Sequence, residues 1–354
     1  MDNKFALYIA KADITLVEAM QKIDKGTKGI LFIVDEQEKL IGCVTDGDIR
    51  RWLIRTADLS VSAKHFMHQN PKFIFKHDNI DVKRYIKEKH ISALPILDID
   101  KTITDIVFRD EEERFIEKVS KKSLTDVSVV IMAGGKGTRL YPYTKILPKP
   151  LIPIGEVPIM ERIVNRFVDY GAKDFYFTVN YKKGMIKSYF DDLQPAYSIT
   201  YVEENKPLGT GGSLKLIKKK FSKPIFVTNC DILIEADLSD IYQQHLQSGN
   251  AITVVASLKN IVIPYGVLEV EKQGLISAMK EKPSISHFVN TGMYIVNPEL
   301  LELIPDNTFY HMPQLLEDVM KKGMNVGIYP LSEDGFLDMG EFEEMKRMEA
   351  KLHV

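Results

Sequence analysis

Apolar and polar positions follow two alternating patterns from about residue 127 onward. Short continuous apolar runs predict buried strands at 127–132, 174–180 and 197–202. Between these runs, apolar residues recur with the helical period over 158–170 and 184–192. Strands that alternate with helices are typical of an α/β domain.

The chain before residue 110 repeats one plan, in which a helix is followed by two strands. The first copy spans residues 15–51, and the second spans residues 79–110 with its helix at 82–89. The predicted strands lie at 30–34 and 40–45 in the first copy and at 93–98 and 102–108 in the second. This similarity predicts an internal duplication in an α+β module.

A charged segment, DEEERFIEKVSKKS at 110–123, separates the two patterns. Its simplest interpretation is an exposed helix at the end of the first domain. We place the domain boundary near Lys122. The predicted domains are residues 1–122, with repeats at about 10–60 and 61–115, and residues 123–354.

Composition narrows the class of protein. Lys and Arg total 47 against 49 for Asp and Glu, so the net charge of -2 gives no general attraction to nucleic acid. The start of the chain has too little apolar sequence for a secretory signal, and no run of 18 apolar residues occurs. Cys43 and Cys230 form no disulfide framework. We expect a cytoplasmic protein that binds neither nucleic acid nor membranes.

The segment VVIMAGGKGTRLYPYTKILPKPL, residues 129–151, joins an apolar strand to a glycine-rich loop. Gly134, Gly135 and Gly137 allow the backbone to approach a phosphate closely, so that peptide N–H groups serve as anion donors. Two common phosphate loops do not fit. The Gly-x-Gly-x-x-Gly pattern would need glycine at Leu140, and the Gly-Lys-Ser/Thr ending of a P-loop is absent.

Two basic side chains follow this loop. Arg139 offers a planar fork that suits phosphate oxygens, and Lys149 is a point charge on the stiff segment Pro148-Lys149-Pro150. A glycine turn with solvated basic residues would explain the glycine pair alone, but it does not explain the whole combination. The sequence therefore predicts a nucleoside triphosphate site.

Residues 134–151 resemble the motif of the sugar-1-phosphate nucleotidyltransferase family, which combines glycines, Thr-Arg-Leu and Pro-Lys-Pro-Leu. The resemblance covers almost everything from about residue 126 onward and implies a Rossmann-like domain with a mixed sheet. The further matching segments, in the family's order, are LGTGG at 208–212, TNCD at 228–231, YGV at 265–267, EKP at 281–283 and NTGMY at 290–294.

The resemblance implies a role for each matched position. Nucleotide-binding positions are Ala133, Gly134, Gly135, Gly137, Thr138, Glu203, Gly209 and Thr210. Catalytic positions are Arg139 and Lys149, and sugar-phosphate-binding positions are Gly266, Glu281, Lys282 and Asn290. The implied reaction is attack by a sugar-1-phosphate oxygen on the α-phosphorus of a nucleoside triphosphate. Pyrophosphate leaves, and no protein nucleophile is needed.

Two acidic residues are candidate ligands for Mg²⁺. Asp231 follows a strand predicted at 225–228, at the kind of strand end where doubly wound sheets bind ligands. Asp338 precedes a helix predicted from Glu341 and matches the family's second metal-binding Asp. Proteins usually bind magnesium through one or two carboxylates together with substrate phosphates. The alternative for each residue is a turn or helix-cap role.

One acidic residue bears on the choice of base. Glu203 falls where the family reads the base edge, and a carboxylate accepts hydrogen bonds from both guanine N1–H and N2–H. This favours GTP as the substrate. Glu204 is equally available in the sequence, and two solvated loop acids are the plainer interpretation.

The duplicated module resembles a tandem CBS domain pair. In that family a Gly-x-x-Thr-x-x-Asp pattern contacts a nucleotide, and Gly42, Thr45 and Asp48 stand at these positions. The second copy differs, with Phe108 and Glu111 at the Thr and Asp positions. The resemblance implies an adenine nucleotide as regulatory ligand. An assembly role is the alternative, and we expect a homo-oligomer.

The order of the two domains resembles that of the bacterial glucosamine-1-phosphate guanylyltransferases of legionaminic acid synthesis. This resemblance implies GTP and glucosamine-1-phosphate as the substrates. The sequence leaves open a mannose-1-phosphate guanylyltransferase and a thymidylyl- or uridylyltransferase that acts on glucose-1-phosphate. It also leaves open a catalytically silent nucleotide sensor.

Overall fold

The computed structural model describes residues 3–78, 80–109 and 124–352. The chain divides into two compact units, Met1–Lys118 and Val119–Val354. The helix predicted at 110–123, including Glu111 and the boundary near Lys122, lies outside the described residues. Within the described ranges, no helix is both long and apolar enough to cross a membrane.

The first unit contains two small sheets with helices between their strands. Its strands are β1 (Ile9–Lys11), β2 (Ile30–Val34), β3 (Leu40–Thr45), β4 (Ile74–Phe75), β5 (Ala93–Leu97) and β6 (Ile103–Phe108). Its helices are α1 (Leu16–Gly26), α2 (Asp46–Thr56) and α3 (Val82–Glu88).

The two sheets of this unit follow one plan. Each has three strands, the first pair parallel and the second pair antiparallel. Each also has a register shift in its middle strand, between Ile33 and Val34 in β2 and between Ile96 and Leu97 in β5. Their apolar side chains form one shared core, to which both sheets contribute. The same arrangement of strands therefore occurs twice in the unit.

The second unit is larger and contains the remaining described elements. Its strands are β7 (Ser128–Ala133), β8 (Pro153–Ile154), β9 (Val157–Pro158), β10 (Asp174–Val179), β11 (Ser198–Glu203), β12 (Ile225–Asn229), β13 (Ile232–Ile234), β14 (Ile252–Val262), β15 (Gly266–Val270), β16 (Ile276–Glu281), β17 (Ser284–Val296), β18 (Val326–Leu331) and β19 (Phe336–Asp338). Its helices are α4 (Tyr143–Ile146), α5 (Ile159–Asp169), α6 (Lys183–Asp192), α7 (Gly209–Gly212), α8 (Leu238–Ser248), α9 (Met312–Lys321) and α10 (Phe342–Leu352).

A seven-stranded mixed sheet, in the order β11-β10-β7-β12-β17-β14-β18, forms the centre of this unit. Strand β17 is antiparallel to both of its neighbours, and the other adjacent pairs are parallel. All six residues of β7 are buried, as expected for a central parallel strand. The predicted α/β class with a mixed sheet is confirmed.

Helices cover both faces of the sheet. On one face α5, α6 and α8 bury their apolar sides, and the rings of Phe167 and Phe226 meet edge to face with centroids 5.1 Å apart. On the other face α9 buries Met312, Leu315 and Val319 against the sheet. The sheet edges are therefore the places where loops can form a site.

Four neighbouring strands end at one edge of the sheet. Strands β11, β10, β7 and β12 are parallel, and their register aligns Glu203, Val179 and Ala133, with Asn229 beside Met132. The residues that follow these strands therefore gather along a single edge.

Candidate active site

A cavity of about 400 Å³ lies along this edge of the sheet. Its walls come from the glycine loop after β7, the ends of β10 and β12, the segment after β11 and the residues before α9. The lining residues are Met132, Gly134, Gly135, Gly137, Thr138, Arg139, Lys149, Thr178, Glu204, Pro207, Gly209, Thr210, Ser213, Asn229, Cys230, Asp231, Phe309 and His311. The lining combines basic and acidic side chains with two aromatic ones, Phe309 and His311.

The glycine loop forms one wall. At Gly137 the backbone is left-handed, with a φ of +64°, and an added Cβ would lie 2.9 Å from the side chains of both Thr144 and Lys149. Glycine is therefore required for the loop to pack against Lys149. The predicted nucleotide positions from Gly134 to Thr138 line the cavity, whereas Ala133 points into the core as the last residue of β7.

Lys149 and Asp231 meet at the floor of the cavity. Lys149 lies in a single helical turn after the loop, and Asp231 lies two residues after β12. The amine of Lys149 donates a hydrogen bond to the Asp231 carboxylate, and the two side chains are only 9% and 15% exposed. The structure thus brings together a predicted catalytic residue and a predicted metal ligand.

Asp338 is held beside Asp231 by a short pair of strands. Strand β19 pairs with β13, so that Asp338 lies opposite Ile232, and the N–H of Met339 donates to the carbonyl of Asp231 at 2.8 Å. Burial raises the pKa of Asp338, and the negative charge of Asp231 raises it further. The positive charges of Lys149 and Arg139 act in the opposite direction.

This pair of carboxylates fits a hard divalent cation. Among the described residues, no group of three or more His, Cys, Asp or Glu side chains could hold a metal ion. Two carboxylates whose charges repel each other are nevertheless what a protein usually supplies to Mg²⁺, because substrate phosphates and waters complete the coordination shell of the ion. Asp231 and Asp338 therefore supply a suitable but incomplete donor set.

The structure distinguishes the two glutamates that follow one another at the end of β11. Glu203 is exposed and bonded to the amines of Lys183 and Lys187, which lower its pKa to about 2. Its side chain does not line the cavity. The prediction for Glu203 therefore does not match the geometry, because the outward face of β11 directs this residue towards α6.

Glu204 occupies the cavity instead. It is only 6% exposed, and its Oε2 accepts a hydrogen bond from the N–H of Leu208 at 2.9 Å. Burial raises its pKa, and the Leu208 bond partly offsets this. A Cβ on Gly134 would overlap Glu204 Oε1, so this carboxylate lies directly against the glycine loop.

The segment before α9 forms another part of the wall. The N–H groups of Gly211 and Gly212 donate to the carbonyl of Tyr310 at 2.9 and 2.8 Å, and Gly209 has a φ of +79° with no space for a Cβ beside that carbonyl. The Thr210 hydroxyl accepts from the N–H of Met312 at 3.0 Å. Gly209 and Thr210, predicted to bind nucleotide, thus line the cavity and also hold this segment in place.

Two aromatic side chains enter the cavity on that segment. The rings of Phe309 and His311 meet edge to face with centroids 4.7 Å apart. The N–H of Thr210 donates to Nδ1 of His311 at 3.4 Å. Sequence reasoning missed Phe309, His311 and Thr178, since none lies in a matched motif.

The predicted sugar-phosphate residues lie elsewhere in the unit. Gly266 and Glu281 face each other across the hairpin of β15 and β16, and the N–H of Lys282 donates to Tyr265 at 3.2 Å. Asn290 lies on β17, where its amide donates to the hydroxyl of Tyr294 at 2.9 Å. None of the four predicted residues lines the cavity.

The predicted nucleotide motif of the first unit forms a helix cap. The Asp48 carboxylate accepts the N–H of Thr45 at 2.9 Å and its hydroxyl at 2.6 Å, while Thr45 Oγ1 accepts the N–H of Asp48. This is a capping box at the start of α2. At Gly42 an added Cβ would lie 2.8 Å from the sulfur of Met67, so packing alone accounts for this glycine.

Residues 128–353 match the family model described as nucleotidyl transferase, and residues 6–55 match the model of the CBS domain. The chain belongs to the nucleotidyl transferase family. Members of this family generally use a divalent metal ion.

The relatives match about half of this chain. The mannose-1-phosphate guanyltransferase of Pichia angusta is 37% identical over 186 residues, 49% of this chain and 50% of that protein. The UTP–glucose-1-phosphate uridylyltransferase of Synechocystis is 34% identical over 205 residues, 52% of this chain and 53% of that protein. The chain thus spans about half the length of these relatives.

A solved structure gives a longer match. The HddC protein of Yersinia pseudotuberculosis is 25% identical, with a TM-score of 0.50. The match covers 64% of this chain and 99% of HddC. The similarity therefore extends over essentially the whole of that protein.

Proposed function

We propose that this chain transfers a nucleoside monophosphate from a nucleoside triphosphate to a sugar-1-phosphate and releases pyrophosphate. The observation that carries this proposal is the buried contact of Lys149 with Asp231, beside a glycine loop and a second carboxylate, Asp338. Glycine N–H groups, a buried amine and paired carboxylates are the parts that phosphoryl chemistry needs in order to neutralise charge.

The proposed mechanism depends on positioning. A sugar phosphate has a second pKa of about 6 and is largely dianionic at neutral pH, so its oxygen attacks the α-phosphorus without a protein base. The glycine loop and Arg139 bind the β- and γ-phosphates, and Lys149 places positive charge next to the reacting group. We assign Mg²⁺ to Asp231 and Asp338, where a bound ion would act as a Lewis acid on phosphate oxygens.

We propose GTP as the nucleotide, with Glu204 as the group that reads its base. An ionised carboxylate can accept both the N1–H and the N2–H of guanine, and the buried side chain of Glu204 lies against Gly134. The guanyltransferase of Pichia angusta among the relatives supports this choice. The uridylyltransferase from Synechocystis makes UTP the competing outcome.

We propose glucosamine-1-phosphate as the sugar substrate, which would give the chain a role in legionaminic acid synthesis. The support is the resemblance of the two-unit arrangement to glucosamine-1-phosphate guanylyltransferases. In this proposal Gly266, Glu281, Lys282 and Asn290 bind the sugar phosphate. Asn290 is on β17, next to β12, and thus on the side of Asp231 away from Glu204. Mannose-1-phosphate is the competing substrate.

We propose that the first unit binds an adenine nucleotide and modulates the activity. We also propose that the protein is a homo-oligomer in the cytoplasm. The CBS match over residues 6–55 includes Gly42, Thr45 and Asp48. Two free cysteines, Cys43 and Cys230, are compatible with a reducing compartment. Titration of ATP and AMP into the activity assay would test the modulation, and sedimentation would test the assembly.

Pyrophosphate release with Mg²⁺ tests the proposed activity. GTP, UTP, dTTP, ATP and CTP would each be paired with glucosamine-, mannose-, glucose- and N-acetylglucosamine-1-phosphate. We expect turnover with GTP and glucosamine-1-phosphate and its loss in Asp231→Asn. Turnover with another pair would replace the substrates and keep the mechanism. No release dependent on Asp231 from any pair would favour a catalytically silent sensor.

A further inference from the structure

One hydroxyl in the cavity wall has no partner. Thr178 lies on β10 and is only 1% exposed, yet its Oγ1 makes no hydrogen bond within the part of the chain that the structure describes. Thr178 is also one of the residues that line the cavity. A buried polar group without a partner is rare in folded proteins, because its lost hydration is not recovered.

The surroundings of Thr178 do not require a hydroxyl. Its register partners on the neighbouring strands are Met132 on β7 and Val202 on β11, both buried and apolar. Tyr176, two residues earlier, lies on the same face of β10 and packs in the apolar cluster with them. Valine has the shape of threonine and suits a strand equally well, so packing alone would favour valine at this position.

The position of Thr178 along the cavity indicates which part of a substrate it faces. Strand β10 lies between β7 and β11, and the residues that follow those two strands, Gly134 and Glu204, meet across its end. The amide of Asn180, two residues after Thr178, donates to the carbonyl of Glu204 at 3.0 Å. Asp231 follows β12, on the opposite side of β7. Thr178 therefore lies towards the Glu204 end of the cavity, away from Asp231.

We propose that the Thr178 hydroxyl hydrogen-bonds the nucleobase of the bound nucleoside triphosphate, next to Glu204. This inference rests on the proposed function and adds a specificity-determining residue to it. An ionised carboxylate only accepts hydrogen bonds, whereas a hydroxyl also donates one. Together the two groups match the edge of guanine, which carries the N1–H and N2–H donors beside the O6 acceptor.

Two substitutions separate this role from a structural one. Thr178→Val removes the hydroxyl and keeps the shape, and Thr178→Ser keeps the hydroxyl. Thr253→Val is the matched control, because Thr253 is also 1% exposed on a strand of the same sheet, but its Oγ1 bonds His245 at 2.8 Å and Asn250 at 3.2 Å. The melting temperature of each full-length variant would be measured, together with calorimetric binding of GTP and of pyrophosphate in the presence of Mg²⁺.

We expect Thr178→Val to raise the melting temperature and to weaken GTP binding about tenfold, the size of one hydrogen bond, with pyrophosphate binding unchanged. Thr178→Ser should keep GTP binding within about threefold of the original, whereas Thr253→Val should lower the melting temperature and leave GTP binding unchanged. A higher melting temperature for Thr178→Val and a lower one for Thr253→Val would indicate that the Thr178 hydroxyl is retained for a ligand.

Three results would overturn the inference. GTP binding unaffected in Thr178→Val would show that the base does not use the hydroxyl. Equal loss of GTP and pyrophosphate binding would assign the hydroxyl to the phosphates, and a lower melting temperature without loss of binding would make it structural. Failure of the proposed function looks different, because the unsubstituted protein would then release no pyrophosphate with any substrate pair.

Discussion

Lys149 and Asp231 form an ion pair across 82 residues of sequence, and both side chains are largely buried. Each charge compensates the other where little water is present to do so. The carboxylate that holds the lysine is also the one best placed, with Asp338, to hold a divalent cation. In the proposed mechanism, Lys149 and a divalent cation would therefore share the Asp231 carboxylate.

We predict that Lys149→Met destabilises the protein and increases its response to Mg²⁺. Removing one partner of a buried pair leaves an uncompensated charge and costs about 3–5 kcal/mol. Added Mg²⁺ should raise the melting temperature of the variant more than that of the unsubstituted protein, since the ion replaces the missing charge. Thermal melts with and without Mg²⁺ measure both effects.

The double variant Lys149→Met with Asp231→Asn is the control for this experiment. It removes both charges, so we expect it to recover much of the lost stability and to lose the additional response to Mg²⁺. If the single and double variants melt at the same temperature, Lys149 and Asp231 do not compensate each other.

We predict that Gly134→Ala weakens GTP binding by about 10- to 100-fold and lowers the melting temperature. The added Cβ would overlap Glu204 Oε1, and this carboxylate cannot move freely because Leu208 holds its other oxygen. Gly135→Ala is the matched control for stability, since an added Cβ there meets nothing within 4 Å. Calorimetry and thermal melts of the two variants test the prediction, and equal melting temperatures would contradict it.

We predict that Glu204→Gln is more stable than the unsubstituted protein at neutral pH. Burial raises the pKa of Glu204, so the folded state binds its proton more tightly than the unfolded state does. Stability therefore falls as the pH rises from the ordinary value of 4.5 through the raised pKa, and glutamine avoids this loss. Each kcal/mol of added stability should raise the melting temperature by about 2–4 °C. This gain should vanish below pH 4.5.

The same substitution should weaken GTP binding about tenfold, because an amide accepts hydrogen bonds through one oxygen only. Glu203→Gln is the control, and it should leave GTP binding unchanged, since Glu203 bonds Lys183 and Lys187 outside the cavity. If Glu203→Gln weakened GTP binding and Glu204→Gln did not, Glu203 would be the residue that reads the base.

The secondary structure near the site was predictable, and the identity of the base-reading acid was not. The helix expected at 158–170 is Ile159–Asp169, and the strand expected at 174–180 is Asp174–Val179, because continuous apolar runs and helical periodicity report burial directly. Successive residues of a strand point to opposite faces, so the choice between Glu203 and Glu204 depends on the position of β11 in the sheet.

Other site residues could not be predicted from the sequence, because long-range packing places them in the cavity. His311 and Phe309 reach the cavity only because the 208–212 turn binds the backbone of Tyr310, about a hundred residues away. Thr178 gave no signal, since threonine is ordinary in a strand and its missing partner appears only in three dimensions.

We predict that Thr45→Ala destabilises the first unit by about 1 kcal/mol, because it removes a capping box. Thr15→Ala is the matched control, since Thr15 and Glu18 form the same kind of cap on α1. Both variants should lower the melting temperature similarly, but only Thr45→Ala should also remove stabilisation by ATP or AMP. Retained stabilisation in Thr45→Ala would leave Thr45 with a helix-capping role alone.

Isotopic oxygen would show directly whether a nucleoside monophosphate is transferred to a sugar phosphate. Glucosamine-1-phosphate with ¹⁸O in its phosphate group would be mixed with GTP, Mg²⁺ and enzyme, and the products analysed by mass spectrometry. We expect all the label to stay in the nucleotide sugar and the pyrophosphate to be unlabelled. Labelled pyrophosphate, or pyrophosphate released equally fast without any sugar phosphate, would contradict this expectation.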